Sequence, residues 1–170
     1  ETGDLVPTDL RDCVSSALDM MAPQISRSGV RVNCVQPEVP VVVLADPVRV
    51  EQVIVNLVRN AFDATQAVEA PKIDLVLALG DVASLTVRDN GTGISDLKNL
   101  FEPFYTTKAP GEGVGLGLAI SSSIIKSLGG RLTARNGDEG GAIFKIDLPL
   151  ATTANEEPDD MITSRPTAAE

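Results

Sequence analysis

A long break in periodicity constrains this chain more than any other feature. Residues 89–114 show neither a helical nor a strand repeat, while the segments on either side are strongly periodic. A loop of that length inside a compact domain is uncommon and is usually functional. It starts at Asp89-Asn90-Gly91-Thr92-Gly93-Ile94, directly after an apolar alternation. It ends in the glycine-rich run GEGVGLGL at 111–118, which opens a helical pattern. A strand therefore feeds a glycine-rich excursion that returns to a helix N-terminus.

The flanks supply the elements. Thr8 or Asp9 reads as a helix cap, and Leu10, Val14, Leu18 and Met21 recur at helical spacing until Gly29. Residues 30–35 alternate like a half-buried strand, and 41–45 form a short apolar one. Asp46-Pro47 gives a cap followed by proline at the first helical position. Val50, Val53, Ile54, Leu57, Val58, Ala61 and Phe62 then mark one apolar face. Residues 73–79 and 83–88 read as strands joined by a Gly80-Asp81 turn. A helix over 116–128 and an antiparallel pair, 131–135 and 142–148, complete the body.

The 170 residues suffice for one domain with a sizeable core. The expected domain is 4–150, with Glu1-Thr2-Gly3 read as a candidate appended scar. The tail, 151–170, holds five acids and one arginine and has too little apolar surface to order itself, so it is expected to be disordered. A net charge of −10 argues against a nucleic-acid surface. No apolar run approaches the ~20 residues of a membrane span, so no membrane contact is expected of this piece. There is no histidine to serve as base, metal ligand or phosphoryl acceptor. Cys13 and Cys34 read as free thiols. Any metal must be held by oxygen, which points to magnesium or calcium.

Four stretches carry candidate chemistry. Asp89, at a strand end, could accept a hydrogen bond from an exocyclic amine such as that of adenine. Gly91 and Gly93 would let backbone approach a flat ligand. By itself, Asp-Asn-Gly is also ordinary turn chemistry. Gly113, Gly115 and Gly117 lead into a helix whose free N–H groups suit phosphate. Leu118 stands where the dinucleotide fingerprint needs a glycine, and no Gly-Lys-Ser/Thr of a P-loop follows. Asn56 and Asn60 share one helical face at i,i+4, suited to Mg²⁺ beside phosphates or, in the plainer reading, to a solvated face. In Phe101-Glu102-Pro103-Phe104-Tyr105-Thr106-Thr107-Lys108, the aromatics could anchor a lid and Lys108 could meet phosphate.

In order and spacing these stretches resemble the ATP-binding catalytic domain of bacterial sensor histidine kinases. DNA gyrase, a heat-shock chaperone family and the mismatch-repair ATPases share that superfamily. Asn56-Leu57-Val58-Arg59-Asn60-Ala61 resembles its asparagine box, and 89–94 its first glycine box. Residues 101–104 resemble its phenylalanine box, 113–118 its second glycine box, and Gly140-Gly141-Ala142-Ile143-Phe144 its final strand. The resemblance implies an α+β fold, a two-layer α/β sandwich with a mostly antiparallel sheet and helices on one face. It implies ATP and Mg²⁺ as ligands. Asp89 would take the adenine amine, and Gly91 and Gly93 would shape the pocket. Asn60 would ligate Mg²⁺ with Asn56 beside it, and Lys108 would contact phosphate from the lid. The resemblance also assigns Asp63, Ile94, Phe101 and Thr107 to the nucleotide site, together with Gly113, Val114, Gly115, Leu116, Gly117 and Leu118.

Implied partners are a dimerisation and phosphoacceptor helical hairpin and a response regulator receiver domain. The isolated domain is expected to be a monomer in the cytoplasm, with an inner-membrane parent left open. Asp63 departs from the lysine or arginine that many sensor kinases carry there, and resembles the nitrogen-regulatory and dicarboxylate-sensing subgroup. Hydrolysing members of the superfamily, and anti-sigma serine kinases, place a water-activating glutamate where this chain has Asn56. A module that keeps the fold without nucleotide is the remaining alternative.

Overall fold

The computed structural model describes residues 3–109 and 115–152. In chain order the elements are β1 (Val6–Asp9), α1 (Leu10–Ser28), β2 (Arg31–Val35), β3 (Val42–Ala45), α2 (Pro47–Ala64), β4 (Lys72–Leu79) and β5 (Val82–Asp89). After the long loop come α3 (Gly117–Ser127), β6 (Arg131–Asn136) and β7 (Ala142–Pro149). The main sheet runs β2-β4-β5-β7-β6, with every pair antiparallel except β2 and β4. β1 and β3 form a separate antiparallel ribbon. It is tied to the end of β7 by a Leu150–Val43 bridge and by Ala151 N–H donating to the Val42 carbonyl at 2.9 Å.

Local chemistry sets the helix ends. The Asp9 carboxylate caps α1 by accepting from the Arg11 N–H at 3.1 Å, and Gly29 closes it with φ +71°. The same carboxylate accepts from Val41 N–H and pairs with the Arg11 guanidinium at 2.8 Å. Hydrogen bonding to Arg11 holds the Asp9 carboxyl below its usual range. Asp46 caps α2 by accepting from Val48 N–H at 3.0 Å, with Pro47 at the first turn, where no donor is lost.

Period-two alternation makes the core. Ile73, Leu75 and Leu77 of β4, Ala83, Leu85 and Val87 of β5, and Phe144, Ile146 and Leu148 of β7 all face the helices and are buried. Val50, Val53, Ile54, Leu57, Val58 and Ala61 of α2 meet them, and α1 and α3 flank α2. Each fully buried large aliphatic side chain here contributes about 1.5–3 kcal/mol. α2 is thereby fixed in rotation, which settles where its polar edge points.

Two readings need correction. The half-burial expected for 30–35 holds for Val30 and Val32 and fails at Cys34. β2 is an edge strand whose residues are exposed except for a partly covered Val32, and its Cys34 is exposed. β1 was not legible as a strand, because Asp9 both ends it and caps α1. Cys13 is buried and, like Cys34, unpaired.

Candidate functional site

Asp89 stands at the last position of β5, in the row of Ala83, Leu85 and Val87, and is only 3% exposed. Its Oδ1 accepts from the Gly91 N–H at 2.8 Å and the Ala142 N–H at 3.2 Å. Oδ2 has no donor among the described residues. Burial pushes the carboxyl above its ordinary range, and the two backbone donors partly offset this. A buried carboxylate with one committed oxygen and one free oxygen is a strong acceptor for a ligand N–H.

The backbone around Asp89 leaves no room for side chains. A Cβ on Gly91 would overlap the Ala64 carbonyl at the end of α2, and Thr92 N–H donates to that same carbonyl at 3.2 Å. Gly141, with φ +74°, lies against the Asp89 carbonyl. The side chain of Asn136 fixes the loop from the opposite side. Its Oδ1 accepts from Ile94 N–H at 2.7 Å, and its Nδ2 donates to the Ile94 carbonyl at 2.9 Å. The Asn136 Oδ1 also lies 3.0 Å from where a Gly93 Cβ would be, and Gly93 has φ +76°. Asn90 anchors the other flank by accepting from Lys72 N–H and donating to the Ala70 carbonyl, both at 2.8 Å.

α2 presents Asn56, Asn60 and Asp63 along one edge, beside its buried stripe. Asn56 Nδ2 donates to the Ser121 hydroxyl of α3 at 3.2 Å. Its Oδ1 sits where a Gly117 Cβ would be, so the start of α3 closes directly over this amide. The Asn60 side chain is half-buried and makes no hydrogen bond among the described residues. Leu116 caps α3 without a side-chain bond, leaving the first N–H groups of the helix unclaimed by a cap. The loop supplies Lys108, whose Nζ lies 2.5 Å from Asp63 Oδ2. Phe104 has φ +66° and is exposed, and its N–H donates to the Gly115 carbonyl at 2.9 Å. Gly115, at φ +70°, fits because a Cβ there would press on the Phe104 and Tyr105 backbone.

The expected residues thus gather in two groups that meet at α2. Asp89, Gly91, Gly93 and Ile94 form one, around the C-terminal end of α2. Asn56, Asn60, Asp63, Lys108, Gly115, Leu116 and Gly117 form the other. Leu118 and Phe101 are partly buried against the core, and Thr107 is exposed. Gly113 and Val114 lie outside the described residues. Sequence reasoning missed Asn136 and Ser121. Asn136 precedes a glycine and so reads as turn chemistry, and Ser121 looks like any polar helix residue.

The family model described as Histidine kinase-, DNA gyrase B-, and HSP90-like ATPase matches residues 45–152. The chain belongs to this family. Among curated relatives of this ATPase-family chain, the C4-dicarboxylate transport sensor protein DctB of Pseudomonas aeruginosa is 38% identical over 143 residues, covering 82% of the chain and 23% of DctB. The sensor protein FixL of Bradyrhizobium diazoefficiens is 44% identical over 115 residues, covering 64% of the chain and 22% of FixL. The chain thus spans about a quarter or less of the length of these two relatives. The solved catalytic domain of histidine kinase ThkA superposes with a TM-score of 0.77 at 27% identity, covering 86% of this chain and 96% of that one. The two-layer fold is therefore that of a histidine kinase catalytic domain.

The arrangement fits a purine nucleotide with its metal. The Asp89 Oδ2 and the glycine cradle suit a flat base, and the amide edge and the start of α3 suit phosphates. Among the described residues no three carboxylates or thiols converge as a metal cluster. A magnesium ion would rest on Asn60 and on nucleotide oxygens.

Proposed function

We propose that this chain binds Mg-ATP and donates the γ-phosphoryl group to a histidine on a separate dimerisation hairpin, as the catalytic domain of a two-component sensor kinase. The observation that carries this reading is the buried Asp89, whose Oδ1 is held by the Gly91 and Ala142 N–H groups while Oδ2 is left without a donor among the described residues, in a chain of this ATPase family.

Asp89 accepts the adenine amine and thereby selects adenine over a base with a carbonyl at that position. Gly91 and Gly93 let the loop lie flat against the base. Asn136 holds that loop in place through both bonds to Ile94. Asn60 would hold the metal through its amide oxygen, while Asn56, bonded to Ser121, would keep the start of α3 beside the phosphates. The N–H groups of α3 would face the β- and γ-phosphates, and the Lys108 ammonium would join them on exchanging Asp63 for phosphate oxygens. A bound Mg²⁺ supplies charge neutralisation across the transferring group. In-line transfer of this kind asks the protein mainly to position and to neutralise. The acceptor histidine lies outside these 170 residues, which contain none.

Asn56 cannot act as a general base, which disfavours direct hydrolysis; losing such a base typically costs about 10²–10⁴ in rate. A solved ThkA structure contains its response regulator TrrA, and a receiver domain is the corresponding partner proposed here. No helix among the described residues is long and apolar enough to cross a membrane. A cytoplasmic, monomeric domain is the reading consistent with such a partner.

The test is to mix this chain with a separate phosphoacceptor hairpin and radiolabelled ATP. Acid-labile label on the hairpin histidine is expected, at a low rate because no tether raises the effective concentration to roughly millimolar. Rapid ATP turnover by this chain alone would overturn the kinase reading in favour of a hydrolysing ATPase. Label on serine or threonine would transfer it to the serine-kinase branch.

A further inference from the structure

The sheet has a second face that the nucleotide site does not use. Paired residues share a face, so the register gathers Arg31, Lys72, Arg88, Arg131, Arg135 and Lys145 on the side away from the helices. These are six of the 14 basic residues in a chain of net charge −10. Asp74 pairs with Lys72 at 3.0 Å, and Asp147 with Lys145 at 3.3 Å. Glu139, from the turn between β6 and β7, approaches Arg88 at 3.9 Å. Arg31 and Arg131 have no ion pair among the described residues, and Arg135 donates only to the Asn136 carbonyl, at 3.5 Å. The face keeps a positive excess.

It also has an apolar centre. Val35, Val76 and Ile143 line a hollow of about 440 Å³ together with Thr86, Arg88 and Arg135, and with Asp74, whose carboxylate is already paired with Lys72. Val76, on the second strand of the sheet, is 42% exposed, and Val35 beside it on the edge strand is 62% exposed.

The chain itself carries a segment of the matching chemistry. Residues 153–170 include Glu156, Glu157, Asp159 and Asp160, followed at once by Met161 and Ile162. The described chain leads to this segment from the end of β7, where Ala151 donates to Val42. From Thr152 back along β7 to Ile143 is up to about 30 Å at ~3.4 Å per residue. An extended chain from Thr152 to Ile162 reaches about 33–36 Å. Asp159 and Asp160 can therefore arrive beside Arg88 and Arg135 with Met161 and Ile162 over the hollow.

We propose that the acidic segment docks through 156–162 on the open face of the sheet, its carboxylates against Arg88 and Arg135 and Met161 and Ile162 over Val76 and Ile143. The segment has too little apolar surface to fold alone, so the association is weak and salt-sensitive. ¹H–¹⁵N spectra of the full chain and of a chain ending at Thr152 provide the test. Removing the segment is expected to move the amide signals of Val76, Thr86, Arg88, Arg135 and Ile143, and raising salt from 50 to 500 mM should produce the same shifts in the full chain. In an Arg88→Gln/Arg135→Gln variant the shifts on truncation should shrink at least about threefold. Because both substitutions keep a long polar side chain, the spectrum away from this face serves as the check on folding. Identical face signals with and without the segment would overturn the proposal, as would shifts of equal size in the double variant. Concentration-dependent shifts in the truncated chain would assign the face to a second copy instead.

Discussion

Replacing Asp89 with asparagine separates what the carboxylate does for the ligand from what it does for the fold. The substitution is isosteric. Oδ1 keeps the N–H groups of Gly91 and Ala142, and this forces Nδ2 into the place of the free oxygen. A donor then faces the adenine amine, itself a donor. The charge-assisted bond that is lost contributes about 1.5–3 kcal/mol. At a tenfold change per ~1.4 kcal/mol, the Kd for ATP rises about 10- to 150-fold. Stability is expected to move the other way. Burial raises the folded-state carboxyl pKa above the unfolded value of 3.8. Between those two values the native state binds more protons, so stability falls as pH rises through that window. Above it the ionised group opposes folding, and asparagine removes the penalty. The melting temperature of the variant at neutral pH should therefore equal or exceed that of the parent, and the difference should vanish below the unfolded value. Calorimetric titration with ATP and Mg²⁺, paired with thermal melts across pH, measures both effects. An ATP affinity within twofold of the parent in a folded variant would refute the assignment of the base contact. A melting drop of several degrees would refute the desolvation argument.

Three further outcomes follow from the geometry. Gly141→Ala should cost about 2 kcal/mol or more in chemical denaturation, near 4–8 °C in melting for a domain of this size, because φ is +74° and a Cβ would overlap the Asp89 carbonyl. Gly140→Ala, also at positive φ but with nothing within 4 Å, should cost less. Asn136→Ala removes both exposed bonds to Ile94 and should weaken ATP binding about 5- to 30-fold, from about 1–2 kcal/mol of loop ordering, with little change in melting. Thiol titration of the native chain should modify Cys34 alone. Cys13, buried and with its pKa pushed up to about 12, should react only after unfolding.

The helices were legible because their signals are local. Asp46-Pro47 and the stripe from Val50 to Ala61 specify α2 without help from elsewhere in the chain, and Gly29 ends α1 wherever that helix lies. The hairpin of β4 and β5 is local too, although its register, with Leu79 opposite Ala83, puts three residues, Gly80, Asp81 and Val82, in the turn and not the two that Gly80-Asp81 suggested. What the sequence hid was pairing at a distance. β1 is four residues containing a proline, and its partner β3 lies more than thirty residues away. β2 alternates as a half-buried strand should, yet it takes the sheet edge, where little covers it. The site divides in the same way. Asp89 and the glycines could be read because their backbone demands are written into their types. Asn136 could not, since its role depends on β6 lying next to β7 and so beside a loop some forty residues earlier.

The row Ala83, Leu85, Val87, Asp89 has a further consequence. By parity Asp89 occupies a core position, the place where the pattern would continue with another aliphatic. The domain thus carries a stability deficit at the position of the proposed base contact. Selection for thermostability alone, without nucleotide, should find this position early and replace the carboxylate with an apolar residue. Evolved this way, the chain would gain heat resistance and lose the proposed adenine contact in a single substitution.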